Sequence, residues 1–176
     1  NHDNLLQIDE GASGYLSDTT YLCDSGTEFE YEQQIPHPDS TEHVSIDCLF
    51  FEKRKLKIWG SPWVKSFKGM NPNCQAFTLK TEEEIKAKFA LIPSDTDILI
   101  THSPPYGIMD LGYGSKSLYK LLYSEKIRPK LHVFGHIHEG YGHWPKMMDM
   151  PGVQFVNASH VNENYEPVNK PIRIVL

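Results

Sequence analysis

Leu131-His132-Val133-Phe134-Gly135-His136-Ile137-His138-Glu139-Gly140-Tyr141-Gly142 is the stretch whose reading decides the fold. Leu131 to Phe134 is a short apolar run of the kind that forms a buried strand. Gly135 closes it, and two further glycines follow within seven residues, so the backbone can turn sharply without a Cβ penalty. The turn carries two histidines two positions apart. A strand that ends in such a turn presents imidazoles at the C-terminal edge of a sheet, where open α/β folds keep their ligands. Neutral imidazole is a common metal ligand, so His136 and His138 are candidate ligands.

Two other segments end in the same way. Asp97 to Thr101 is an apolar run with turn signals on both sides, and it leads into His102-Ser103-Pro104-Pro105. Pro104 forces Ser103 to be extended and stiffens the loop that carries His102. Val153 to Val156 runs into Asn157. If these strands are neighbours, His102, His136 and His138 meet at one rim, able to serve two metals about 3.5–4 Å apart. Helices are predicted between the strands. Thr81-Glu82-Glu83-Glu84 reads as a capping box whose acidic run is a solvated helix start. Ile85, Phe89 and Ile92 continue at helical spacing, giving a helix over 82–91 that Pro93 ends. A second helix is predicted over 115–126, with Leu118, Leu121 and Leu122 on one face. Strands alternating with helices point to a layered α/β domain.

The rest of the chain reads with less definition. Residues 9–43 are rich in Gly, Ser, Thr, Asp, Glu and Pro and read as a long surface excursion with little regular structure. Ile46, Cys48 and Phe50, then Leu56 and Ile58, read as two strands of a hairpin whose turn is Glu52-Lys53-Arg54-Lys55. Ile172 to Val175 reads as a last strand. His132 is placed in the core or in support of a ligand. Tyr141, Trp63 and Asn157 either line a pocket or pack against a loop. His37, His43, His143 and His160 read as surface residues.

Composition excludes several classes. The 176 residues suit one domain spanning 1–176, and 39% hydrophobic with 23% charged residues is an ordinary globular balance. The net charge of −6 and the lack of a basic face argue against a nucleic-acid-binding module. No apolar run is long enough for a membrane helix. Three cysteines without a Cys-x-x-Cys pair make neither a disulfide framework nor a zinc ribbon, and favour a reducing, cytoplasmic location. The sequence does not define an oligomeric state.

Asn1-His2, Ile100-Thr101-His102-Ser103-Pro104-Pro105 and Gly135-His136-Ile137-His138 together resemble the calcineurin-like metallophosphoesterase superfamily. Trp59-Gly60-Ser61-Pro62-Trp63, Arg128 to Gly142 and Phe155-Val156-Asn157-Ala158-Ser159 look like its metallophosphoesterase-domain-containing (MPPED) branch. The resemblance implies a four-layer αββα sandwich and a dinuclear centre of Mn, Fe, Ni or Zn. It also implies hydrolysis of a small phosphate ester: a phosphodiester such as a cyclic nucleotide, or a phosphomonoester. It assigns Asn1, His102 and His136 to one metal and His138 to the other. His2 would protonate the leaving oxygen, a role suited to a group that titrates near neutral pH. The resemblance also implies Asp-x-His and Gly-Asp motifs ahead of Asn1, which this sequence lacks. The expectation is therefore a chain missing N-terminal strands and two ligands of the first metal. It is either part of a longer enzyme or a truncated, non-catalytic binding or regulatory fragment. A mononuclear site of His102, His136 and Asn1 is the third reading.

Overall fold

The computed structural model describes residues 18–35 and 50–176. In chain order the elements are β1 (Ser25–Ile35), β2 (Phe50–Ser61), β3 (Val64–Lys65), β4 (Thr78–Leu79) and α1 (Glu82–Phe89), then β5 (Ile98–Thr101) and α2 (Lys116–Tyr123). β6 (Leu131–Phe134), β7 (Gly142–Trp144) and β8 (Gln154–Asn157) complete them. The fold is mixed α/β, built on a six-stranded sheet of order β1-β2-β5-β6-β8-β7, with β3 and β4 as a separate pair.

The three apolar runs become the adjacent strands β5, β6 and β8, parallel to one another and to β2. Register aligns their C-terminal ends: Ser61 lies opposite Thr101, Ile100 opposite Val133, and Phe134 opposite Asn157. The ladder then runs one step past the strands. His102 N donates to Ser61 O at 3.2 Å, Gly135 N to His102 O at 3.1 Å, and Ala158 N to Phe134 O at 2.7 Å. The turns that follow β5 and β6 are thereby tied to one rim.

The helices cover one face of the sheet. α1 begins with the predicted capping box: Glu84 N donates to Thr81 Oγ1 at 3.2 Å, and Thr81 N to Glu84 Oε2 at 2.8 Å. Glu82 is not merely solvated, because it accepts from Ser117 N and Oγ at the start of α2 and so joins the two helices. Ile85 and Phe89 of α1 and Leu118 and Leu122 of α2 pack with Leu99, Phe134 and Phe155 of the sheet in one buried cluster. Burying each such side chain contributes roughly 1.5–3 kcal/mol. The opposite face carries Ile98, Ile100 and Val133, and Ile100 is 41% exposed.

Three expectations are corrected. The hairpin with a charged turn is instead one continuous strand, β2, whose partner β1 lies inside the stretch read as an excursion. Glu28, Glu30 and Glu32 of β1 stand opposite Lys57, Lys55 and Lys53 of β2, so the charged residues are a cross-strand ladder and not a turn. Residues 9–17 and 36–43 of that excursion, with Ile46 and Cys48, lie outside the described residues. Ile172 to Val175 joins no ladder; its tie to the sheet is a side-chain bond from Gln154 Nε2 to Val175 O at 3.1 Å. The antiparallel strand beside β8 is β7, which starts at Gly142, the last residue of the glycine-rich stretch.

Candidate metal centre

His102 and His136 meet, as their strand-end positions require. Their rings lie 4.7 Å apart between centroids, inclined at 56°. His102 stands on a stiff arm, with Ser103 only 4% exposed and Pro104 and Pro105 fully buried. His136 adopts φ +68°, the left-handed region that a non-glycine residue seldom enters. Holding it there costs of order 1–3 kcal/mol, so the surrounding turn must over-determine it.

Asn157 supplies much of that determination. It is fully buried at the end of β8, and its Nδ2 donates to Ile137 O at 2.7 Å, between the two histidines of the turn. Its Oδ1 accepts from Ser159 N and Oγ. Gly140 lets the turn pack against the neighbouring loop, since a Cβ there would lie 2.2 Å from Met109 O. Asn157 thus braces the turn and does not line the pocket. Tyr141 and Trp63 also bond elsewhere, to Lys170 O and to Asp24 respectively.

His138 opens the short 3-10 turn His138–Gly140. Its Nδ1 lies 3.1 Å from Asn162 O. A carbonyl can only accept, so Nδ1 carries the proton and Nε2 keeps a lone pair. Metal-binding histidines are typically oriented by such a bond on the other nitrogen. Tyr165 makes a T-shaped contact with the ring, 5.0 Å between centroids.

The three histidines line one cavity of about 310 Å³. Phe67, Met70, Asn71, Leu111, Tyr113 and Tyr165 are among its walls, and Cys74, Glu139 and Glu163 line it too. None of these wall residues was singled out in the sequence. They come from three separate loops, and only their exposed aromatic and apolar character hints at a role: Leu111 is 62% and Tyr113 61% exposed. Asn1 and His2 lie outside the described residues. Among the described residues no three His, Cys, Asp or Glu side chains gather closely enough to hold a metal. The donor set fits a metal centre in part: two imidazoles face each other, and a third is oriented as a ligand is.

Of the remaining histidines, His132 is fully buried, and burial pushes its pKa down to about 3, so it is neutral at physiological pH. His143 is not a free surface residue; it lies half-buried on β7 with Nε2 3.1 Å from Gln154 Oε1. His160 is exposed, and His37 and His43 lie outside the described residues. Among the described residues no helix is long and apolar enough to cross a membrane.

Fold and site together define a mixed α/β protein whose histidines gather at the C-terminal rim of parallel strands. No family profile matches the chain. It is 36% identical over 154 residues to metallophosphoesterase domain-containing protein 1 of Homo sapiens, covering 79% of this chain and 44% of that protein. Two UPF0046 proteins of Caenorhabditis elegans match at 34% identity over 77% of this chain and 36% of the relative, and at 33% over 97% and 47%. The chain spans 36% to 47% of the length of these curated relatives. Their similarity supports the metallophosphoesterase family for this protein.

Proposed function

We propose that this protein is a metal-dependent phosphoesterase. It hydrolyses a phosphodiester such as a cyclic nucleotide, or a phosphomonoester, with a dinuclear centre of Mn, Fe, Ni or Zn in the intact protein. The observation that carries this reading is the facing His102–His136 pair, 4.7 Å between centroids at adjacent strand ends. The bond from His138 Nδ1, which leaves Nε2 available, adds to it. In this reading Asn1, His102 and His136 hold one ion, and His138 with further ligands holds the other. Bound divalent ions supply an acidified water and positive charge against the phosphoryl oxygens. His2 protonates the leaving oxygen, Asn157 keeps the His136–His138 turn in register, and the walls around Phe67 and Tyr113 enclose the organic part of the ester. Residues 1–176 belong to one domain of a four-layer αββα sandwich, whose second sheet covers the face of Ile98, Ile100 and Val133. Three cysteines without a Cys-x-x-Cys pair suit a reducing, cytoplasmic setting.

The alternative is a non-catalytic binding or regulatory fragment of the same fold. The two part in one assay. The full-length natural protein should hydrolyse bis-p-nitrophenyl phosphate when Mn²⁺ is added, and His136→Ala should abolish turnover. No metal-dependent turnover, or an unchanged His136→Ala variant, would sink the enzyme reading. Full-length protein that neither binds Mn²⁺ nor turns over the substrate would establish the fragment reading.

A further inference from the structure

We propose that His132 is the positioning residue of the His102 arm, acting through Thr101 to keep the His102 ring against His136. The inference rests on the reading that His102 belongs to the site. His132 sits in the middle of β6, and its ring makes T-shaped contacts with Phe134 and Phe155, 5.0 and 5.9 Å between centroids. A polar ring in an apolar layer is costly unless its nitrogens are bonded, and an apolar residue would fill the space at lower cost. One nitrogen is bonded: Nε2 lies 2.9 Å from Thr101 Oγ1.

The direction of that bond follows from proton counting. Thr101 Oγ1 lies 2.6 Å from Ser103 O, and a carbonyl can only accept. The single hydroxyl proton is therefore spent on Ser103, and Nε2 must donate to Thr101. Nδ1 is then a bare lone pair, and it has no hydrogen-bond partner among the described residues. The chain His132 Nε2–H to Thr101 Oγ1–H to Ser103 O clasps the residues on both sides of His102. Together with the backbone bonds of His102 to Ser61 and Gly135, it fixes the arm from the sheet upward. The tautomer excludes His132 as a metal ligand through Nε2, and complete burial closes Nδ1 to solvent.

The test is made on the ¹⁵N-labelled full-length natural protein, by long-range ¹H–¹⁵N correlation of the histidine rings. His132 should show a protonated Nε2 and a bare Nδ1, and a ring-to-ring NOE should join His102 and His136. Thr101→Val, which keeps the shape and removes the hydroxyl, should lose that NOE. Gln and Asn at position 132 separate the two nitrogens, because the Gln amide reaches the place of Nε2 and the Asn amide that of Nδ1. His132→Gln should retain the NOE and His132→Asn should lose it. Mn²⁺ affinity should fall about ten-fold in Thr101→Val and His132→Asn and hold in His132→Gln. A protonated Nδ1 in the wild type, or an intact His102–His136 NOE in a folded Thr101→Val, overturns the proposal. So does equal loss in His132→Gln and His132→Asn, which would mark a merely structural residue. If the wild type binds no Mn²⁺ the metal reading fails separately, since tautomer and NOE are read without metal.

Discussion

β5, β6 and β8 on one side, and the β1–β2 ribbon on the other, are strands of one sheet held by different forces. Leu99 and Phe155 are fully buried, and the three parallel strands cohere because apolar side chains leave water. In the ribbon, Phe29 and Phe51 are each 58% exposed, and the visible order is electrostatic. Lys55 reaches Glu28 at 3.0 Å and Glu30 at 3.1 Å, with all three side chains about half exposed. Exposed pairs of this kind contribute little each and are screened by salt. The lesson is one of register. A one-residue slip in the centre would turn its apolar set to the wrong face. A two-residue slip in the ribbon would still oppose most of its glutamates to lysines.

Asp24 ties the ribbon to α1. It sits at φ +46° just before β1 and accepts from Ser61 Oγ at 2.8 Å, Trp63 Nε1 at 2.6 Å and Lys88 Nζ at 2.9 Å. Lys88 also lies over the Trp63 ring, 4.1 Å from its centroid. One side chain, 11% exposed, thus pins the foot of the ribbon to the end of β2 and to α1.

If the contrast is right, effects should fall in order from the centre outward. Leu99→Ala should cost about 2–5 kcal/mol in chemical denaturation, through lost burial and the cavity left behind. A loss below 1 kcal/mol would show that the centre is not the main source of stability. Asp24→Ala should cost about 1–3 kcal/mol, because three donors lose their acceptor. Amide exchange should then quicken in β1 before it does in β6; uniform quickening would break the division into two regions. Next comes acid sensitivity. Unfolding frees His132 to take a proton near its ordinary value of 6.5, whereas the folded ring resists protonation down to about 3. Between those values the unfolded state binds the extra proton, so stability should be full above pH 6.5 and fall as pH drops toward 3. His132→Gln should flatten that part of the profile, and an unchanged slope would place the sensitivity elsewhere. The smallest effect belongs to Lys55→Ala. Its melting temperature should fall slightly in low salt and match the wild type in about 1 M salt, where screening is nearly complete. A salt-independent loss would mean that the ribbon is held by packing after all.

The same contrast explains what was legible. Apolar runs bounded by turn residues marked β5, β6 and β8 to within a residue, because apolar side chains on both faces of a strand leave a continuous local trace in sequence. The capping box marked the start of α1 for a similar reason, its partners being three residues apart. β1 was missed although Glu28-Phe29-Glu30-Tyr31-Glu32 alternates, because its acidic residues read as solvated loop until a basic partner strand is known. The convergence of His102 and His136 was legible from strand ends, whereas the cavity walls were not, since Phe67, Tyr113 and Tyr165 come from loops with no periodicity to read.

The sequence by itself determined that apolar strands would carry histidines at their ends, that a capped helix would precede β5 and that a second helix would lie between β5 and β6. These are local properties of spacing and residue type. Only the tertiary structure decided the rest: that Glu28, Glu30 and Glu32 face lysines, that Asn157 braces the His136–His138 turn, and that His132 must give its proton to Thr101. Each depends on atoms distant in the chain that come within hydrogen-bonding or ion-pair reach only once the strands are in register, and no local pattern encodes that distance.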